Sequence, residues 1–309
     1  MPGLSSGVRC GMMLPMAKRI LILGAQGMLG TQLARIYRQA IAWDKGDVDV
    51  LDAKAFEAQL RAAAAGLDAV VNCVAFNDVD GAEDRPEAAF ELNGSFPGRL
   101  AALCRELELR LVHFSTNYVF DGRKGEYRES DTPNPLSVYA RSKLRGERTV
   151  AAAMDEYYLV RTAVLFGPKG SSDLSKRSFV ELMIDLASER DTIQAVSDEI
   201  NSVTYAPDLA RATALLLDTD SDFGVYHLTN AGSASWYDLA RRIFDLTPRK
   251  PQLIAVQGST FPRKAIRPAK AVLMNTKTAV LRPWEEALRE FVAGRRAYSF
   301  PRTQGASNR

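Results

Sequence analysis

The segment Arg19-Ile-Leu-Ile-Leu23, running directly into Gly24-Ala-Gln-Gly-Met-Leu-Gly30, constrains the fold more than any other part of this chain. A short continuous apolar run bounded by glycine reads as a strand buried on both faces. Leu29, Leu33 and Ile36 then recur at helical spacing over residues 28–38, so a strand passes into a helix through three glycines. The alternation continues with an apolar run at 40–43, a helical segment at 53–65 and an apolar run at 69–73. A helix ending near Glu106, an apolar run at 109–114, a helix carrying Tyr139 and a buried strand at 157–161 follow. Strand-helix-strand repetition predicts an α/β fold, a Rossmann-like doubly wound parallel sheet.

Beyond Gly167 the pattern is irregular, with a loop at 169–173, helices at 179–187 and 207–217, a strand at 224–229, and helical periodicity at 236–246 and 284–292. This predicts a smaller C-terminal substrate-binding lobe interleaved with late elements of the sheet domain. The expected boundaries are residues 18–162 and 204–232 for the dinucleotide-binding domain, and 163–203 and 233–300 for the lobe. Residues 1–17 read as a disordered extension or an over-called start, with Met16 as an alternative initiator, and 301–309 as a flexible tail.

Composition narrows the function classes. With 309 residues, 46% hydrophobic and 25% charged, the chain reads as an ordinary globular one, long enough for two lobes. No run approaches the ~18 apolar residues of a membrane span, and no secretory signal is evident. A net charge of +3 is too small to argue for nucleic acid, and none is expected as a partner. Cys10, Cys73 and Cys104 have no metal-ligand spacing and only His113 and His227 supply imidazoles, so neither a metal site nor a disulfide framework is expected. Both histidines lie in apolar strands and read as structural. Cytoplasmic residence is the expectation.

The first strand-to-helix turn suits a dinucleotide. A pyrophosphate needs backbone without side chains and the unpaired N–H groups of a helix start, which makes Gly24, Gln26, Gly27, Met28, Leu29 and Gly30 cofactor candidates. Asp44 follows Gly24 by about twenty residues, the usual place of an acid that binds the adenosine ribose. Lys45, next to it, suits a 2′-phosphate instead. NADPH and NADH both remain open.

Tyr139-Ala-Arg-Ser-Lys143 carries the chemistry. Four residues apart on a helix, the phenol and the ammonium share a face. The cation is expected to lower the phenol pKa and make Tyr139 a proton donor near neutrality. Pro133-Asn-Pro-Leu-Ser137 is a turn and helix-start signal, placing the pair in the first turns of a helix.

Taken together, these motifs resemble the extended short-chain dehydrogenase/reductase superfamily and, more narrowly, the dTDP-4-dehydrorhamnose reductase family. The resemblance runs from about Arg19 to Val292 and includes Val71 to Asp80, Glu91-Leu-Asn93, Phe114-Ser-Thr-Asn-Tyr-Val-Phe-Asp-Gly122, Tyr127-Arg-Glu129, Tyr139 to Glu147, Arg161-Thr162, Tyr226-His-Leu228, Ser235-Trp-Tyr237 and Arg267-Pro268. It implies hydride transfer from NADPH or NADH to C4 of a 4-keto-6-deoxy nucleotide sugar. Catalytic roles fall to Tyr139 as proton donor, Lys143 on the nicotinamide ribose and Thr116 on the same C4 oxygen. It further implies Asp49 and Val50 at the adenine, Ala75, Phe76 and Asn93 around the cofactor, and Asn117, Val119 and Arg267 at the substrate. A homodimer is compatible with it.

Dehydratases of the superfamily carry an Asp-Glu pair after the threonine; here Asn117 and Tyr118 stand there, which disfavours elimination of water. The reductase family usually has Asp where this chain has Asn117. It has Ser-Trp for Ala163-Val164, Pro-Thr for Val203-Thr204 and Ser for Ala271. The regulatory β subunit of methionine adenosyltransferase resembles the same family and acts by binding a partner. A non-catalytic dinucleotide-binding subunit, and an epimerase or reductase of another nucleotide sugar, are therefore the alternative expectations. Arg263, Lys264, Arg267 and Lys270 are candidates for a diphosphate, whereas Trp236 and Trp284 read as lobe core.

Overall fold

The computed structural model describes residues 18–172, 175 and 177–299; the expected extension at 1–17, the tail at 301–309 and Cys10 lie outside these. Six parallel strands form the central sheet: β1 (Ile20–Leu23), β2 (Ile41–Trp43), β3 (Ala69–Asn72), β4 (Arg110–Thr116), β6 (Tyr157–Thr162) and β11 (Gly224–His227). Their spatial order, β11-β6-β4-β3-β1-β2, reverses direction of growth at β1 and β3. That is the doubly wound arrangement, in which ligands lie at the carboxyl ends of the strands.

Alternation along each strand builds two cores. Ile20, Ile22, Val71, Val112 and Phe114 pack against α1 (Met28–Ile36) and α8 (Ala206–Asp218). Leu21, Leu23, Val70 and Leu111 face the other way, against α2 (Ala53–Ala63), α5 (Phe96–Glu106) and α6 (Val138–Ala153). Because both faces are covered, the strands read as continuous apolar runs rather than alternating ones. Two short helices, α3 (Gly81–Asp84) and α4 (Pro86–Phe90), and a π-helical turn at Glu91–Ser95 lead into α5.

Smaller sheets sit above the carboxyl ends. A four-stranded one joins β13 (Ser233–Ser235), β9 (Ile200–Ser202), β15 (Lys270–Leu273) and β5 (Gly125–Tyr127), in that order. Two-stranded pairs join β7 (Leu165–Phe166) to β10 (Thr204–Tyr205), β8 (Thr192–Val196) to β14 (Gln252–Val256), and β12 (Asn230–Ala231) to β16 (Leu281–Pro283). A third core lies among α7 (Phe179–Glu189), α9 (Trp236–Leu246) and α10 (Trp284–Ser299), and includes Phe166, Val180, Ile243, Trp284 and Phe291. Ser178 and Ser235 start α7 and α9 as capping boxes with Glu181 and Asp238. The last helix continues to Ser299, seven residues past the periodic stretch read from sequence. Among the described residues no helix is long and apolar enough to cross a membrane.

Candidate functional site

The glycine turn lies at the carboxyl end of β1. Gly24 adopts a φ of +73°, which an L side chain resists, and a Cβ there would press on the Cys73–Val74 backbone at 3.2 Å. A Cβ on Gly30 would lie 2.2 Å from the Gly24 carbonyl. No side chain caps α1, whose N-cap is Gly27, so its first-turn N–H groups are offered outward. A bare backbone cradle at a helix start fits a dinucleotide pyrophosphate. Gln26, Met28 and Leu29 complete this turn.

Asp44, at the end of β2, accepts a hydrogen bond from the Gln26 backbone N–H at 2.9 Å and so ties the second strand to the turn. Lys45, Asp49 and Val50 follow on the same loop, where Asp44 Oδ1 and Asp49 Oδ1 accept backbone N–H bonds from Lys45 and Leu51. On the other side of the turn, Ala75 and Phe76 follow β3. Asn93, fully buried, accepts from the Phe76 N–H at 2.8 Å and donates to the Phe76 carbonyl and to Ser142 Oγ, each at 3.0 Å. It therefore fixes the loop after β3 to α6, the helix that carries Tyr139 and Lys143. It does so from the π-helical turn, a distortion common at functional sites. The strap after β7 crosses this region: the Ser172 N–H donates to the Gln26 carbonyl at 3.2 Å, and a Cβ on Gly170 would meet that carbonyl at 2.1 Å.

Ser137 caps α6 by accepting from the Ala140 N–H, and this sets Tyr139 and Lys143 on its first turns. Lys143 Nζ donates to the Phe114 carbonyl at 2.6 Å, so the ammonium is drawn to the carboxyl end of β4. Burial pushes Lys143 down to about 8, with the Glu147 carboxylate acting the other way. Burial also pushes Tyr139 up to about 12, against a smaller downward effect of the Thr116 hydroxyl. The expected lowering of the phenol by the lysine is not what this arrangement produces. Desolvation is the larger cause and the Thr116 hydroxyl the opposing one, while the Lys143 ammonium is drawn to the Phe114 carbonyl. A phenol held neutral is still the form that gives a proton to a developing alkoxide.

Thr116, the last residue of β4, accepts from the Tyr118 N–H at 3.2 Å, with Asn117 Oδ1 3.4 Å from its hydroxyl. Tyr118 stands edge-on to Tyr139, ring centroids 6.3 Å apart. Asn117 is buried, and its Nδ2 donates to Asn201 Oδ1 at 2.7 Å and to the Ala271 carbonyl at 3.0 Å. Val119 is fully buried in a core with Phe120, Tyr127, Leu144, Ala163 and Leu273.

Every candidate for a diphosphate has a carboxylate beside it. Arg267 meets Asp80 at 2.7 and 3.2 Å, and the guanidinium holds that carboxyl down at about 2. Arg263 pairs with Glu199, Lys264 with Asp84 at 2.5 Å, and Lys270 reaches Glu126 at 4.0 Å. Trp236 is half-buried, not core: its Nε1 donates to Glu199 and its ring leans on Phe179. Trp284 is core. Val164, where relatives were expected to carry tryptophan, has a φ of +36°, an unusual conformation for a β-branched residue.

Sequence reasoning missed Asn201 and Glu199 as site neighbours, and read Asp80 and Ser142 as motif members without their partners. Each is separated from its partner by 37 to 187 residues, so spacing carries no signal of the contact. Ser115, Glu147 and Arg161 were legible only as motif members. They form a buried cluster behind Thr116, in which Glu147 takes bonds from Ser115 Oγ at 2.5 Å and from Arg161 at 2.9 and 2.6 Å.

Comparison with known proteins gives the same picture. The family model described as RmlD substrate binding domain matches residues 18–296. A dTDP-4-dehydrorhamnose reductase of Mycolicibacterium smegmatis is 38% identical over 290 residues, 90% of this chain and 86% of that protein. A probable dTDP-4,6-dihydroxy-2-methyloxan-3-one 4-ketoreductase of Streptomyces antibioticus is 38% identical over 284 residues, 88% of this chain and 94% of that one. Among solved structures, dTDP-4-dehydrorhamnose reductase from Bacillus anthracis in complex with NADP superposes with a TM-score of 0.84 at 30% identity, covering 90% of this chain and 100% of that one. On fold, site geometry and sequence, this chain belongs to the RmlD substrate binding domain family.

Proposed function

We propose that this chain is an NAD(P)H-dependent reductase of the C4 keto group of a 4-keto-6-deoxy nucleotide sugar, converting dTDP-4-dehydrorhamnose to dTDP-L-rhamnose. The observation that carries the reading is the convergence of Thr116, Tyr139 and Lys143 at the carboxyl end of β4, beside the glycine cradle at the end of β1. The nicotinamide cofactor, when bound along that cradle, supplies the hydride. Tyr139 gives its phenolic proton to the C4 oxygen as negative charge develops there, and Thr116 donates a hydrogen bond to the same oxygen. Lys143 keeps its charge at neutral pH and orients the ribose side of the cofactor. Arg267 faces the nucleotide diphosphate, the geometry for which a guanidinium is suited. The names of the relatives favour this reading over a non-catalytic regulatory subunit. They also support a second one. Asn117, Ala163, Val164, Val203 and Ala271 depart from the rhamnose-family pattern, which suits another 4-keto deoxysugar on the same diphosphate. The reading places the chain in the cytoplasm, where reduced nicotinamide dinucleotides are regenerated.

The test is oxidation of NADPH and NADH by the purified protein on dTDP-4-dehydrorhamnose made in situ, with Tyr139→Phe beside it. One cofactor consumed per sugar, and a fall of about 10²- to 10⁴-fold in the variant, is the expected result. Interconversion of sugars without net cofactor consumption would indicate an epimerase. Cofactor binding without turnover of any 4-keto sugar would overturn the reading.

A further inference from the structure

The Asn117 side chain hydrogen-bonds from the end of β4 to two strands of the four-stranded sheet, and its amide is oriented unambiguously. The Ala271 carbonyl is an acceptor and nothing else, so the atom 3.0 Å from it is the nitrogen. The second amide proton then goes to Asn201 Oδ1 at 2.7 Å, and Oδ1 of Asn117 is left facing the Thr116 hydroxyl at 3.4 Å. All four residues are buried, with exposures of 8% for Thr116, 2% for Asn117 and Asn201, and 0% for Ala271. Asn201 and Ala271 are directly paired in register on β9 and β15. Glu199 precedes the first of these strands and Arg267 precedes the second. One side chain thus joins the proton-handling end of β4 to both strands that carry the sugar-nucleotide side of the cleft.

We propose that Asn117 and Asn201, with the Ala271 carbonyl, form a latch that sets the position of β9 and β15 against Thr116, and that both asparagines are positioning residues for the reduction. The inference rests on the reductase reading. The latch in this chain uses both amide protons of Asn117, where the family usually has Asp: a carboxylate at 117 would offer no proton to the Ala271 carbonyl and would repel it. The neutral Oδ1 is also a weak resting acceptor for the Thr116 proton, which leaves that proton free to turn to the substrate oxygen. Displacement of a reacting group by about 1 Å costs on the order of 100-fold, so a loosened latch lowers turnover without touching the cofactor turn.

The experiment is a cycle of Asn117→Ala, Asn201→Ala and the double variant, with Asn117→Asp alongside. It reads kcat/KM on the keto sugar and NADPH affinity by fluorescence. Asn201→Ala removes one of the two bonds and is expected to lower kcat/KM by roughly tenfold, and Asn117→Ala by roughly 100-fold. The double variant should match Asn117→Ala, because both changes remove the same bond. NADPH affinity should stay within about twofold, and Asn117→Asp should also be impaired. Losses that multiply in the double variant, or a parallel fall in NADPH affinity, would overturn the latch. Hydrogen exchange of the β15 amides at Lys270–Leu273 gives a readout independent of turnover. Faster exchange there in Asn117→Ala, with β1 and β3 unchanged, is expected, and unchanged protection contradicts the proposal. A wild type that reduces no 4-keto sugar refutes the reductase reading, while the exchange result still decides the latch.

Discussion

Replacing Arg161 with methionine tests the buried cluster of Ser115, Glu147 and Arg161 behind Thr116. The Arg161 and Glu147 side chains are 5% and 6% exposed and meet through two bonds at 2.6 and 2.9 Å. In Arg161→Met the carboxylate stays buried with the Ser115 hydroxyl as its remaining close donor. Removing one partner of a buried pair costs about 3–5 kcal/mol, because an uncompensated charge is left behind. The guanidinium also lies 5.1 Å from the Phe120 ring centre, a contact worth about 1 kcal/mol that a thioether recovers in part. At about 2 °C per kcal/mol for a chain of this size, the melting temperature should fall by roughly 6–10 °C. Glu147→Met combined with Arg161→Met removes both charges and should return stability to within about 2 kcal/mol of wild type. Urea midpoints and thermal melts of the two single variants and the double would measure this. A single variant costing less than about 1 kcal/mol, or a double variant as unstable as the singles summed, refutes the argument, since the charges would then not be desolvated as described.

Three further outcomes follow from the site. The ammonium of Lys143, pushed down to about 8, loses its charge as pH rises through that value, so kcat/KM should fall above pH 8 by about tenfold per unit; a profile flat to pH 9.5 contradicts this. In Gly30→Ala the new methyl would sit 2.2 Å from the Gly24 carbonyl and must push the turn open, so NADPH affinity by titration should drop at least about tenfold, and unchanged affinity would mean the cradle is not where the phosphates lie. Asp80→Asn removes the carboxylate that orients Arg267, and should raise the KM for the nucleotide sugar about 3- to 10-fold with little change in kcat or NADPH affinity; a change confined to kcat would place Arg267 elsewhere in the cycle.

Local sequence was enough for the sheet and for bringing the candidate catalytic groups onto one helix face. Continuous apolar runs between helical segments specify strands covered on both faces, and three glycines at the first strand end mark the only backbone that admits close approach there. The Tyr139-to-Lys143 spacing puts both groups on one helix face whatever the rest of the chain does. These signals are local because each depends on residues within one or two turns. The small sheets were not legible: strands of two to five residues such as β7, β9 and β15 carry too few positions to show a period. The state of the site was not legible either. Whether Lys143 lowers the Tyr139 pKa depends on burial and on the Phe114 carbonyl 29 positions away. The Asn117 amide serves partners 84 and 154 positions distant, and Arg267 finds Asp80 across 187. Chemical type is written in the residue, but desolvation and hydrogen-bond partnership are properties of the packed chain, and only the tertiary structure decided them.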